Sequence, residues 1–227
     1  MNKTNVWAHR GASAYAPENT LSAFEQAVNM KADGIELDVQ LTKDGTIVVI
    51  HDETLHRVSG ASGWVKDYDY DELRKINVNK HFPEYGIQHI PTLEEVYRFM
   101  KPTNLTINVE LKTGVVFYQG LEESTLELTE KMGMQERVIY SSFNHYTIQK
   151  IHRLNPSAQT GILYQDGWIG AAAYAENVVH SDALHPALYN VQYPDFFEEC
   201  RKHQLKVHVW TVNEEKYMRM LCDYQAD

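Results

Sequence analysis

Short β-rich runs alternate with helical ones along the chain. Asn5 to His9 is predicted as a strand, and Arg10 to Ser13 as a loop. Between Thr20 and Lys31, Leu21, Phe24, Ala27 and Val28 share one face at helical spacing, which predicts an amphipathic helix. Asp33-Gly34 ends it. Ile35, Leu37, Val39 and Leu41 then alternate with Glu36, Asp38 and Gln40, the period of a strand. Asp44-Gly45 is a hairpin signal, and Thr46 to Ile50 is the returning strand. From Thr54 to Ile90 the pattern loosens into a small insertion with one helical piece, Tyr70 to Ile76. Thr92 and Glu95 have capping-box spacing before a helix that ends near Met100. Strands at 105–111, 138–142, 160–164, 183–185 and 206–212 then alternate with helices at 121–132, 146–154, 171–177, 196–203 and 214–224.

Such alternation implies an α/β fold with a mostly parallel sheet. Without the hairpin strand it contains seven βα units, one short of a (β/α)8 barrel. The expectation is a single catalytic domain over residues 1–227, a TIM-type (β/α)8 barrel with an insertion at about 54–90 after the second strand. In such barrels functional residues sit where strands end, at the C-terminal face.

Composition sets the class of partner. The chain has 227 residues and a net charge of −10. An acidic chain is poorly suited to nucleic acid, which is held by Lys and Arg against phosphates. It is equally poorly suited to anionic lipid surfaces. The longest aliphatic run, Ile47 to Ile50, is far too short to span a bilayer, and no hydrophobic signal core precedes Val6-Trp7-Ala8. The expectation is a cytoplasmic protein with no nucleic-acid partner and no stable membrane insertion. Cys200 and Cys222 read as reduced thiols rather than a disulfide framework. The pattern does not settle the oligomeric state.

The C-terminal strand ends are polar. The first carries His9-Arg10-Gly11, the second Glu36-x-Asp38, the hairpin strand His51-Asp52 and the next barrel strand Glu110-x-Lys112. Residues two apart on a strand share a face, so Glu36 aims with Asp38 and Glu110 with Lys112. Three carboxylates at one barrel mouth repel one another and resist burial unless paired. A hard divalent cation, Ca2+ or Mg2+, resolves this with oxygen ligands. The alternative is a salt-bridge network with Arg10 and Lys112. His9 and His51 are candidates for proton transfer, since imidazole titrates near neutrality. Arg10 and Lys112 suit a phosphoryl oxygen. No P-loop, kinase signature or Gly-x-Gly-x-x-Gly is present. The set is therefore equipment for breaking a phosphoester without a nucleotide.

The motifs occur in a fixed order: His9-Arg10-Gly11, Pro17-Glu18-Asn19-Thr20, Glu36-Leu37-Asp38-Val39, Thr42-x-Asp44-Gly45 and Val49-Ile50-His51-Asp52. Ile90-Pro91-Thr92-Leu93, Glu110-Leu111-Lys112, Ser142-Phe143 and Val209-Trp210-Thr211-Val212-Asn213 follow. Over nearly the whole chain they resemble the bacterial glycerophosphodiester phosphodiesterase family. The resemblance implies a TIM-type barrel and one divalent cation, Ca2+ or Mg2+, held at Glu36, Asp38 and Glu110. It implies acid/base chemistry at His9 and His51 and phosphate binding at Arg10 and Lys112. It further implies that Phe143, His185 and Trp210 line the glycerol side. The substrate implied is a small glycerophosphodiester, such as glycerophosphocholine or glycerophosphoethanolamine. It would be hydrolysed through a cyclic phosphate to glycerol 3-phosphate and an alcohol. Family members continue after the last helix into a strand that closes the barrel. The sequence ends at Asp227, so that closing eighth strand is expected to be missing from it. Two rivals stay open: a barrel phospholipase acting on membranes, and a barrel that only binds.

Overall fold

The computed structural model describes residues 4–227. Met1, Asn2 and Lys3, which open the segment read above for a signal core, lie outside the described residues. The backbone divides into two compact units, one spanning Val6–Val138 and the other Ile139–Asp227 with Thr4 and Asn5.

In the first unit, β1 (Trp7–Ala8), β2 (Gly34–Leu41) and β4 (Thr106–Leu111) run parallel, with β2 in the middle. Thr20 caps α1 (Leu21–Asn29) by accepting a hydrogen bond from the Ala23 amide, and Ala23, Phe24 and Ala27 are buried. β3 (Ile47–Val49) folds back antiparallel on β2, pairing Val39 with Val49. The eight residues of β2 are all buried, the polar ones included. Its alternation therefore separates two interior faces rather than an interior from a surface.

The insertion is better ordered than its pattern suggested. Besides α3 (Tyr70–Leu73) it forms α2 (His56–Ser59) and short 3-10 turns at Val65–Asp67 and Pro83–Tyr85. Leu55, Val58, Val65, Leu73, Val78 and Ile90 bury one another against Val48 and Ile50. Elements of one turn are too short to show a period in the sequence. α4 (Leu93–Met100) starts at the expected capping box, where Thr92 and Glu95 bond each other's backbone amides. α5 (Leu121–Met132) follows β4.

In the second unit, β5 (Val138–Ser142), β6 (Gln159–Tyr164), β7 (Ala183–Pro186) and β8 (Lys206–Val207) are parallel in chain order. α6 (His145–Leu154), α7 (Ala171–Tyr174, continued by a π turn at Ala175–Val179), α8 (Phe196–Lys202) and α9 (Glu215–Asp223) lie between and after them. β8 is shorter than its expected 206–212. After Val207 the backbone still tracks β7, with the Trp210 amide donating to the Pro186 carbonyl at 3.1 Å, but only as an isolated bridge to Ala187. Both cysteines are free, Cys200 buried and Cys222 exposed. Among the described residues, no helix is long and apolar enough to cross a membrane.

Candidate active site

The first unit gathers the polar strand ends at one place. The β2–β4 register sets Asp38 beside Glu110. Glu36, Asp38 and Glu110 each offer an oxygen within 4.8 Å of the others, and no other such group of carboxylates, histidines or cysteines occurs among the described residues. Asp38 is fully buried. Asn19 Nδ2 donates to Asp38 Oδ2 at 2.8 Å. Asp38 Oδ1 has no hydrogen bond, and the Lys112 ammonium stands 3.8 Å away. A buried carboxylate oxygen without a hydrogen bond is costly. A hard cation would satisfy it, and all three oxygen donors suit one.

Electrostatics agrees. Burial, then the Asp38 charge, pushes Glu110 up to about 7. Burial, then Asp38 and Glu110, raises Glu36 well above the usual carboxylate range. Lys112 donates to Glu110 Oε1 at 3.0 Å, and against the opposing effect of burial Glu110 and Asp38 raise its pKa. With all three carboxylates ionised, the two cations Arg10 and Lys112 would leave the cluster one positive charge short of neutrality.

The loop after β1 wraps this cluster. Arg10 takes the left-handed conformation at φ 58°, which lets its amide donate to Glu36 Oε2 at 2.9 Å. A left-handed arginine is a strained feature of the kind that concentrates at functional sites. Gly11 follows at φ 75°, where a Cβ would lie 2.7 Å from the Ala23 backbone. The Arg10 guanidinium donates to Glu18 at 3.1 Å, and its Nε lies 3.7 Å from Asp38. His9 Nε2 lies 3.9 Å from Glu36. Burial, then the Arg10 charge, pushes His9 down to about 4.

His51 follows β3. Its Nδ1 lies 2.6 Å from Asp52 Oδ1 and its Nε2 3.3 Å from Lys112 Nζ. Gln40, buried on β2, donates through Nε2 to the carbonyls of Ile50, His51 and Asp52 at 2.9–3.0 Å and accepts from Tyr118. The backbone that carries His51 is thereby pinned to β2.

The profile of the glycerophosphoryl diester phosphodiesterase family matches residues 9–227. The chain belongs to that family. A glycerophosphodiester phosphodiesterase of Caldanaerobacter subterraneus is 41% identical over 99% of this chain and 92% of its own. One of Bacillus altitudinis is 37% identical, again over 99% and 92%. The solved structure of an Oleispira antarctica phosphodiesterase in complex with the product sn-glycerol-3-phosphate superposes with a TM-score of 0.87 at 26% identity, over 99% of this chain and 91% of that one. A glycerophosphodiester phosphodiesterase from Agrobacterium tumefaciens gives 0.86 at 25% identity, over 99% and 94%. The family, the TIM-type barrel class and the phosphodiesterase enzyme class expected from the motifs are thus the ones found.

Of the residues singled out in this phosphodiesterase, seven meet in the first unit: His9, Arg10, Glu36, Asp38, His51, Glu110 and Lys112. Phe143, His185 and Trp210 belong to the second. There the Phe143 and Trp210 rings meet edge to face at 5.4 Å, and Trp210 Nε1 donates to the His185 carbonyl at 2.8 Å. The His185 ring is buried, 2.8 Å from His208 Nδ1, over the bare Cα of Gly161. The strand-end pattern gives no role to Glu18, Asn19, Gln40, Asp52, Arg57 or His208. Glu18, Asn19 and Asp52 do lie within the motifs Pro17-Glu18-Asn19-Thr20 and His51-Asp52, which is a signal for those three. Arg57, in a patternless insertion, had none.

Proposed function

We propose that this phosphodiesterase hydrolyses small glycerophosphodiesters, such as glycerophosphocholine or glycerophosphoethanolamine, to glycerol 3-phosphate and the free alcohol. The carrying observation is the buried three-carboxylate cluster flanked by His9, His51, Arg10 and Lys112. Glu36, Asp38 and Glu110 would hold the cation. When bound, Ca2+ or Mg2+ supplies positive charge beside the phosphoryl oxygens and acidifies a neighbouring hydroxyl. Arg10 and Lys112 bind the phosphate oxygens with donors that gain strength as charge builds on them. A neutral His51 with Asp52 on Nδ1 presents a lone pair at Nε2, the form that accepts the nucleophile's proton. His9, 3.9 Å from Glu36, serves the leaving alkoxide. The nucleophile is the glycerol 2-hydroxyl, which forms a cyclic phosphate that water then opens. Phe143, His185 and Trp210 are assigned to the glycerol side on the family motifs alone. The site sits in one catalytic domain of a cytoplasmic enzyme.

The test is release of glycerol 3-phosphate from glycerophosphocholine, with a long-chain glycerophospholipid run in parallel. Excess chelator is expected to abolish turnover, and Ca2+ or Mg2+ to restore it. Full activity in chelator overturns the metal assignment, and turnover of the long-chain lipid alone overturns the substrate class.

A further inference from the structure

We propose that Arg57, supplied by the insertion, is a positioning residue that sets two reactive side chains at once: His51 through Asp52, and Arg10 through Glu18. The proposal rests on the functional reading above, in which His51 moves a proton and Arg10 holds phosphate.

Arg57 lies on α2, outside the strands that carry the cluster. Its guanidinium spends its donors in two directions. Toward the hairpin, Nε donates to Asp52 Oδ2 at 2.7 Å and one terminal nitrogen to Oδ1 at 3.0 Å. Toward the β1 loop, the two terminal nitrogens donate to Glu18 Oε2 and Oε1 at 2.6 and 2.7 Å. Both carboxylates are thus gripped by a planar fork, a geometry that lysine cannot reproduce.

Each carboxylate passes the constraint on. Asp52 Oδ1 lies 2.6 Å from His51 Nδ1. An ionised carboxylate only accepts, so Nδ1 carries the proton. At the other end of the ring, Lys112 Nζ lies 3.3 Å from Nε2. An ammonium only donates, so the Nε2 lone pair faces it. The neutral tautomer of His51 is fixed from both sides. Glu18 Oε1, which takes one branch of the Arg57 fork, also accepts from Arg10 at 3.1 Å. That bond holds a guanidinium whose Nε is buried with no hydrogen bond of its own, 3.7 Å from Asp38. Asp52, Arg57, Glu18 and Arg10 therefore form a string of alternating charge that links His51 at one end to the phosphate-binding guanidinium at the other. Without Arg57, Asp52 and Glu18 keep their places only through their bonds to groups they are meant to orient.

Three variants separate positioning from plain stability. Arg57→Lys keeps the charge and loses the fork, Asp52→Asn puts an amide against Nδ1, and Glu18→Gln weakens the Arg10 arm. The direct readout is the pair of His51 ring nitrogens in a long-range 1H–15N spectrum above neutral pH, assigned by its loss in His51→Gln. The expected wild-type pattern has Nδ1 protonated and Nε2 bare. In Asp52→Asn and Arg57→Lys that pattern should be replaced by a tautomer mixture. Turnover of glycerophosphocholine should fall roughly 10²-fold in kcat in both, the cost of a displaced catalytic group, with little change in KM in Asp52→Asn and a raised KM in Arg57→Lys, which loosens both arms. Glu18→Gln should instead raise KM and leave the His51 spectrum unchanged. An unchanged His51 spectrum in Arg57→Lys overturns the proposal, whatever happens to thermal stability. A wild-type protein inert toward glycerophosphocholine that still shows the tautomer change defeats the functional reading alone.

Discussion

Strain and charge at single residues are concentrated around the carboxylate cluster. Arg10 and Asn19 both hold positive φ, near 58° and 56°, and both direct a donor at a cluster carboxylate. His9→Ala and His51→Ala are each expected to lower kcat by about 10²–10⁴-fold in steady-state hydrolysis of glycerophosphocholine, the usual contribution of a general acid or base. Near-normal turnover in either variant removes that histidine from the mechanism. Glu110→Gln removes one of three anionic oxygens and should weaken Ca2+ or Mg2+ binding at least tenfold by calorimetric titration. Equal affinity in the variant would place the cation elsewhere. His9, Arg10, Glu36, Asp38, His51, Glu110 and Lys112 are legible in the sequence because strand ends in a barrel converge and the side-chain period of a strand says which residues share a face. Asp52 and Glu18 were visible only as letters in motifs. Their roles depend on meeting Arg57, 39 residues from Glu18 along the chain, and no local pattern encodes that encounter.

At the scale of elements, local signals predicted what local chemistry controls. The Thr92 capping box starts α4 as expected, and α5 and β5 run over the expected residues, 121–132 and 138–142. Glu95 also accepts from Tyr70 of α3, so the cap ties the insertion to α4. Thr92→Ala should destabilise the fold by about 1 kcal/mol, measured by chemical denaturation. A change near zero would mean that packing rather than capping holds this helix start. Gly161 on β6 marks another constraint. A Cβ there would lie 2.1 Å from His185 Nε2, so Gly161→Ala must displace a ring locked against His208. It should cost about 1–3 kcal/mol by the same measurement, as overpacking does. The insertion is more ordered than its pattern predicts because one-turn helices carry no period. Only its buried Leu55, Val58, Val65 and Leu73 show why it is ordered. β8 was over-read because Val207 and Val209 alternate correctly, while the backbone keeps only a bridge at Trp210.

For the molecule as a whole, the buried histidines govern acid tolerance. Burial, then the Lys206 charge, pushes His208 from 6.5 down to about 3, and burial, then His208, pushes His185 the same way. Below 6.5 the unfolded chain binds protons at these sites that the folded chain refuses, so stability falls as pH drops and is fully present above 6.5. The loss for His208 alone approaches about 1.4 kcal/mol per pH unit within that window. Glu36 and Glu110, raised when folded, act in the opposite sense. The urea midpoint should drop between about pH 7 and about pH 5, and His208→Gln should flatten that dependence. A wild-type midpoint that holds level over this range would show that the pair titrates freely. The net charge of −10 disfavours extended polyanions and anionic surfaces, but it does not disfavour a small phosphodiester. Arg10 and Lys112 give that ligand a local positive field within an acidic molecule.

The sequence by itself determined the alternation of strands and helices, the family, and the residues at the strand ends, because periodicity, capping and motif order are local properties of the chain. The tertiary structure alone decided that the polar face of β2 is interior, that Asp38 Oδ1 is buried without a hydrogen bond, and that Arg57 grips Asp52 and Glu18 together. Burial and charge pairing are set by which distant segments pack together, and that information is not carried by any single stretch of sequence.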